Sequence, residues 1–302
     1  IGHILRQINL ESEEFFVASG HAAAIKRTEA HCSAAAAIEE LFGGYESYRF
    51  LKEKDRTFEK TGKVTAEALA ALAGKIFTKE RLTVSLTGKQ ETDFFASLLA
   101  SMKSDGVTPP SSVTFPLLDT AGEGIAIPAQ ISFAVLAGKD NLPPTGATSV
   151  AQKILSLEYL WNAVRVQGGA YGAGFGARRN GTFFCYSYRD PDAARSLACY
   201  RKCPEFLRTF AAETSDLTKY IIGAVAASEP LLSPSMKGLL ASVNYRQGIT
   251  YEDIVRLRKE TIGTTKEDLL ALADRIEKAT EHAALCVVGE KAALDACGDE
   301  LP

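Results

Sequence analysis

The chain has 302 residues, 46% of them hydrophobic, which is enough apolar material for one large core or two domains of ordinary size. Lys and Arg number 34 against 37 Asp and Glu, a net charge of -3, so the basic excess of a nucleic-acid binder is lacking and nucleic acid is not expected as a partner. No apolar run approaches the roughly 20 residues that span a bilayer, and the first residues lack the basic start and apolar centre of a secretory leader, so no membrane role is expected.

Residues 12–41 interleave Ala, Ile, Leu and Phe with polar residues and predict helix, weakened at Gly20 and stopped by Gly43 and Gly44. "AEALAALAGKIF" repeats apolar residues at helical spacing, "RLTVSLTG" alternates as a strand does, and "ETDFFASLLASM" returns to helix. The next stretch, "KSDGVTPPSSVTFPLLDTAGEG", is rich in Pro, Ser, Thr and Gly and has little periodicity. It predicts a linker over 104–121 between a first unit, 1–103, and a second, 122–302.

In the second unit "IAIPAQISFAVLAG" reads as a β-segment and "SVAQKILSLEYLWNAVRV" as an amphipathic helix. Gly168 and Gly169 stop that helix. "GAYGAGFGARRNGTFFCYSYRD" then predicts two antiparallel strands joined at Asn180-Gly181, a strong hairpin signal. Asp190 followed by Pro191 fits the N-cap and first position of a helix running to about Phe210. Four more amphipathic stretches follow, beginning "SDLTKY", "PSMKG", "TYEDI" and "TKEDL", before a short strand "AALCVVGE". The pattern predicts an α+β fold with long helices packed on a small antiparallel sheet.

Six cysteines are too sparse for a disulfide scaffold. Cys199 and Cys203 share a helix face at i and i+4, a spacing that suits two metal ligands, but no nearby His or second Cys pair completes a zinc set. They read as reduced, buried thiols.

The glycine-rich hairpin supports three readings. Phosphate binding is disfavoured, because the glycines at 172, 174 and 176 form neither G-x-x-x-x-G-K-[ST] nor G-x-G-x-x-G and lead into a strand. A structural reading holds that alternating small residues leave one face without bulk because a helix or another backbone packs closely there, with Arg165 complementing a helix C-terminus and Tyr171 an ordinary strand residue. A third makes the hairpin a place for an extended peptide, with Arg165 and Tyr171 as donors to carbonyl oxygens.

"LWNAVRVQGGAYGAGF", "GTFFCYSYRDPDAARSLACY" and "DLTKYIIGAVAASEPLLSPSMKG", in that order, resemble the last domain of the presequence-protease branch of the pitrilysin/insulinase metallopeptidases. The resemblance covers about 122–302. Residues 1–103, with "GGYESYRFLKE" and "RLTVSLTG", resemble more weakly the latter part of the preceding domain, here incomplete. It implies a pitrilysin-like metalloenzyme half-domain fold, in which four similar domains form two halves that close around a peptide. It also implies a zinc endopeptidase of unstructured peptides, with zinc on an inverted H-x-x-E-H helix of the N-terminal half. Arg165 and Tyr171 map onto the Arg and Tyr that the C-terminal half contributes across the chamber, with Gly168 and Gly169 between them in the substrate site.

The chain departs from the family pattern in one respect. Its histidines are His3, His21, His31 and His282, and none stands in H-x-x-E-H; "KATEH" comes nearest, with Lys278 where the first ligand belongs. Zinc is therefore expected on ligands outside this chain, and the chain alone is expected to be inactive. The expected partners are a peptide substrate and the N-terminal half of the same protein or a complementary subunit. The alternative is a non-catalytic peptide-binding or scaffold subunit. The Ala-rich composition and lack of an evident leader suit a bacterial cytoplasm, with an organelle matrix as the other compartment. The chain opens on Ile1 instead of methionine, as a piece of a longer protein would.

Overall fold

A computed structural model describes residues 1–89, 93–104, 106, 115–119 and 122–301; most of the linker predicted over 104–121 lies outside them. Five strands, β1 (Gly122–Ala126), β2 (Ser132–Lys139), β3 (Gly172–Ala177), β4 (Thr182–Tyr188) and β5 (Ala284–Gly289), form one sheet in the order β1-β5-β2-β4-β3. β1 runs parallel to β5 and the other pairs are antiparallel, so the sheet is mixed where an antiparallel one was expected. β5 is buried along its whole length and β2 along all but its last residue, because helices cover both faces; this is why their sequences read as continuous apolar runs.

On one face lie α6 (Gly146–Ile154) with its continuation Leu155–Val166, α7 (Ala193–Tyr200), α8 (Cys203–Glu213) and α12 (Lys266–Thr280), and α9 (Thr218–Ser228) and α11 (Tyr251–Ile262) pack on α6. Leu136, Ile154, Leu160, Phe183, Leu207 and Leu272 are buried in that core. α1 (Gly2–Glu29) covers the opposite face, closing a second core around Phe16, Phe133, Val135 and Val288. α1 kinks at Ser19, and a Cβ on the following Gly20 would fall 2.4 Å from the Phe133 ring. The glycine that weakens the helix signal is thus the one that lets α1 lie directly on β2.

α2 (Ala34–Gly43) and α3 (Tyr45–Arg56) continue from α1, followed by α4 (Phe58–Ile76) and α5 (Asp93–Ser101); α10 (Pro234–Arg246) and α13 (Lys291–Ala296) complete the helices among the described residues. Side chains from α1, α2, α3 and β1 meet at Arg27, whose guanidinium contacts Glu40, Glu46 and Glu123. No helix among the described residues is long and apolar enough to cross a membrane.

Three local expectations are revised. "RLTVSLTG" forms no strand: a 3-10 turn at Lys79–Arg81 leads into extended chain without a partner strand among the described residues. The β-segment at 125–138 is two strands, parted at Pro128, which has no N–H to give to a ladder. The helix expected from Asp190 starts later. Asp190 pairs with Ser132, and Asp192 is the N-cap, accepting from the Arg195 N–H at 3.0 Å. That helix also breaks after Tyr200, with Pro204 opening α8, since proline is tolerated in a first turn and not in a helix interior.

Candidate functional site

After Ile154 the helix carrying Trp161 and Arg165 widens into a π-helical stretch over Leu155–Val166. The Gln167 N–H reaches back five residues to the Asn162 carbonyl at 3.0 Å. Such widened turns are rare and recur at functional sites. The chain then reverses: the Gly169 N–H donates to the Arg165 carbonyl at 2.9 Å and the Ala170 N–H to that of Val164 at 3.2 Å. Gly169 has φ +83°, and a Cβ on Gly168 would lie 2.4 Å from the Val164 oxygen, so the turn itself demands both glycines. Their effect is to set Tyr171 beside the helix end that carries Arg165.

The Tyr171 N–H is shared between the carbonyls of Tyr188 at 3.0 Å and Arg189 at 3.3 Å, which fixes the backbone while the side chain stays 68% exposed. Its ring stands edge-on to Tyr188, 5.8 Å between centroids. The Arg165 guanidinium carbon lies 3.9 Å from the centroid of Trp161 and 5.8 Å from that of Tyr171. Among the described residues no carboxylate pairs with Arg165. A guanidinium held by aromatic faces is oriented without being neutralised, so its N–H donors remain available to an oxygen. The structure therefore brings Arg165, Gly168, Gly169 and Tyr171 together at one surface turn.

Trp161 was missed in the sequence, although its i,i+4 spacing to Arg165 is a readable signal. On the reading of the hairpin as a place for an extended peptide, Trp161→Leu is expected to weaken peptide binding about 2- to 5-fold, the scale of an exposed cation–π contact, while Trp161→Phe keeps most of it. Anisotropy of a labelled peptide measures this; equal affinity of the Leu variant would leave Trp161 no part in holding Arg165.

The alternating glycines have a packing cause. Gly172, Gly174 and Gly176 stand opposite Tyr188, Tyr186 and Phe184 across the β3–β4 ladder. A Cβ would meet the Tyr186 ring at 2.9 Å from Gly174 and the Phe184 ring at 2.3 Å from Gly176. The small face is filled by cross-strand rings of β4, where the structural reading expects a helix or another backbone. Gly176→Ala is expected to cost about 1–3 kcal/mol by overpacking, partly recovered by adding Phe184→Leu, in denaturant unfolding. β3 is also one of the two edges of the sheet, and a groove of about 500 Å³ runs along it, lined by His21, Lys26, Gln152, Ser156 and Arg178 among others. Ser156 Oγ already accepts the outward Phe175 N–H at 3.0 Å.

Among the described residues no group of three or more His, Cys, Asp and Glu is placed to hold a metal ion. Cys203 is buried with its Sγ 3.6 Å from that of Cys185, and burial pushes its thiol well up, so it does not offer the thiolate that zinc needs. His282 is exposed beyond the end of α12.

Residues 123–291, more than half of the chain, match the family model of the PreP C-terminal domain. Protein HypA of Clostridium perfringens is 30% identical over 298 residues, covering 96% of this chain and 30% of that protein. Presequence protease 1, chloroplastic/mitochondrial, of Arabidopsis thaliana is 29% identical over 298 residues, covering 93% of this chain and 27% of that protein. The chain thus spans under a third of the length of these relatives. Among solved structures, a peptidase M16 inactive domain from Pseudomonas fluorescens aligns with a TM-score of 0.43 at 15% identity, over 65% of this chain and 49% of that one.

Proposed function

The chain belongs to the PreP C-terminal domain family, and from that premise we propose that it is the substrate-holding, oxyanion-stabilising part of a zinc metalloendopeptidase degrading unstructured peptides. The observation that carries this reading is the pairing of the exposed Tyr171 with the half-buried Arg165 across one glycine turn, with Arg165 paired to no carboxylate among the described residues. Peptide cleavage turns a planar carbonyl into a tetrahedral centre whose oxygen gains charge, and donors aimed at that oxygen favour the change. In this reading the Tyr171 hydroxyl donates to that oxygen. Arg165 holds a neighbouring carbonyl or the terminal carboxylate, and the turn at Gly168 and Gly169 lets the peptide backbone approach.

The zinc does not fit this chain, which has no H-x-x-E-H and, among the described residues, no ligand cluster. Its ligands are assigned to an N-terminal half in a longer protein, the second partner beside the peptide. The division into 1–103, a linker over 104–121 and 122–302 belongs to the same proposal. It is supported by α4 and α5, which bury none of their residues and expose Leu69, Leu72 and Phe94, as the outlying part of a larger unit would, while α1, α2 and α3 stay tied to the sheet. A bacterial cytoplasm is the proposed compartment, and an organelle matrix the alternative.

The test is peptide binding and cleavage by this chain alone and joined to an N-terminal portion bearing H-x-x-E-H. Binding without cleavage alone, and zinc-dependent cleavage when joined, is expected. Binding with no gain of cleavage on joining would favour a non-catalytic peptide-binding or scaffold subunit of the same fold.

A further inference from the structure

Arg189 is the one non-glycine with positive φ among the described residues, at +49°. It lies in a β-bulge. Val135 pairs with Tyr186 and Ser132 with Asp190, so four steps along β4 and its continuation oppose three along β2. The left-handed residue of such a bulge is commonly glycine, which adopts the conformation without steric cost. The backbone here has a use of its own, since the Arg189 carbonyl helps hold the Tyr171 N–H. Glycine would supply that carbonyl equally well. An arginine at this position therefore points to a task for its side chain.

The side chain is exposed, and its guanidinium carbon lies 5.5 Å from the centroid of the Tyr188 ring, which itself touches Tyr171. Among the described residues no carboxylate pairs with it. The adjoining Asp190 is buried, with one oxygen accepting the Asp192 N–H at 2.9 Å, and the Asp192 carboxylate is taken up in capping. Trp161, Arg165, Tyr171, Tyr188 and Arg189 thus follow one another in contact, with one unneutralised guanidinium beside the Tyr171 ring and another over the Tyr188 ring that Tyr171 touches.

We propose that Arg189 is a second substrate-holding cation, which with Arg165 flanks the Tyr171–Tyr188 pair and takes a carboxylate of the bound peptide. This rests on the reading of Arg165 and Tyr171 as the peptide site. Two guanidinium groups beside that pair favour peptides with negative charge close to the bond held at Tyr171, either an acidic side chain or a free C-terminus.

The chain has a single tryptophan, and it is stacked on Arg165, so its emission reports occupancy of the site. The 302-residue chain would be titrated with one unstructured peptide in three forms: neutral and C-terminally amidated, amidated with one Glu in place of Gln, and neutral with a free carboxylate. Wild type is expected to bind a charged form about 10-fold more tightly than the neutral one, and the preferred form identifies the source of the carboxylate. Arg189→Gly should lose most of that preference while its Tm holds or rises, since glycine relieves the left-handed backbone. A preference that survives in Arg189→Gly overturns the proposal, and so does a Tm lowered by several degrees, which would make the side chain a prop of the fold. If wild type binds no form of the peptide, the reading of Arg165 and Tyr171 fails as well.

Discussion

Tyr171→Phe, introduced into the full-length protein that contains this chain, is expected to lower kcat by roughly 10- to 1,000-fold with little change in KM. The substitution removes one oxygen and little else. The Tyr171 backbone is held by the Tyr188 and Arg189 carbonyls, and its ring leans on Tyr188, so the aromatic framework survives in the Phe variant. What disappears is a hydroxyl on a side chain already 68% exposed, whose loss costs the folded state almost nothing. A donor that meets its oxygen only when charge develops there acts on kcat; one that binds the resting peptide acts on KM. Arg165 should show the second pattern, Arg165→Gln raising KM more than it lowers kcat. Steady-state rates on one unstructured peptide separate the two. An unchanged kcat in Tyr171→Phe would return the residue to the role of an ordinary strand tyrosine.

The elements that the sequence discloses are those whose signal is local. The hairpin at Asn180-Gly181 appears where expected, with Gly181 at φ +86°, and α9 to α12 follow their apolar periodicity. Three of those helices also carry a cap that the sequence displays, at Ser233, Thr250 and Thr265. The failures are non-local. Residues 81–88 alternate as a strand does, but alternation makes a strand only where another strand supplies the ladder. Whether the parallel partner of β1 would be β5, more than 150 residues away, depends on the whole topology. At the candidate site the pair Arg165 and Tyr171 was visible through family resemblance, and the glycine turn through local rules. Trp161 leaves only the weak i,i+4 spacing to Arg165, and Arg189 became visible only with coordinates, because a left-handed arginine leaves no composition signal. Asp190 shows the same limit: Asp followed by Pro is a sound capping pattern, but the bridge to Ser132 claims that residue, and Asp192 caps instead.

The largest expected loss of stability is that of Arg27→Met, about 3–5 kcal/mol, the scale of removing one partner from a buried ion network. Arg27 has 7% of its side chain exposed and contacts Glu46 at 3.1 Å, Glu40 at 3.2 Å and Glu123 at 2.7 Å. Its loss leaves three carboxylates facing one another, with Glu40 fully buried among them. Glu40 cannot swing away: one oxygen also accepts the Tyr45 N–H at 2.7 Å, and the other lies where a Cβ on Gly44 would have to be. The pH dependence gives the sign. Burial pushes Glu123 up from its ordinary 4.5, but the His31 ring and the Arg27 guanidinium outweigh it and hold the carboxyl at about 2. A group lowered on folding adds stability that is fully present above its unfolded value and is lost as pH falls toward the folded one. Wild type should therefore lose stability between about pH 4.5 and 2 from this site. In Arg27→Met the burial of Glu123 is no longer opposed by the guanidinium, Glu123 takes up a proton more readily, and the deficit should be largest near neutral pH and shrink as pH is lowered. Thermal unfolding of both proteins across that range measures the two slopes, and adding Glu123→Gln to Arg27→Met should recover part of the loss at neutral pH. Parallel slopes would mean that the shape of Arg27, and not its charge, holds α1, α2, α3 and β1 together.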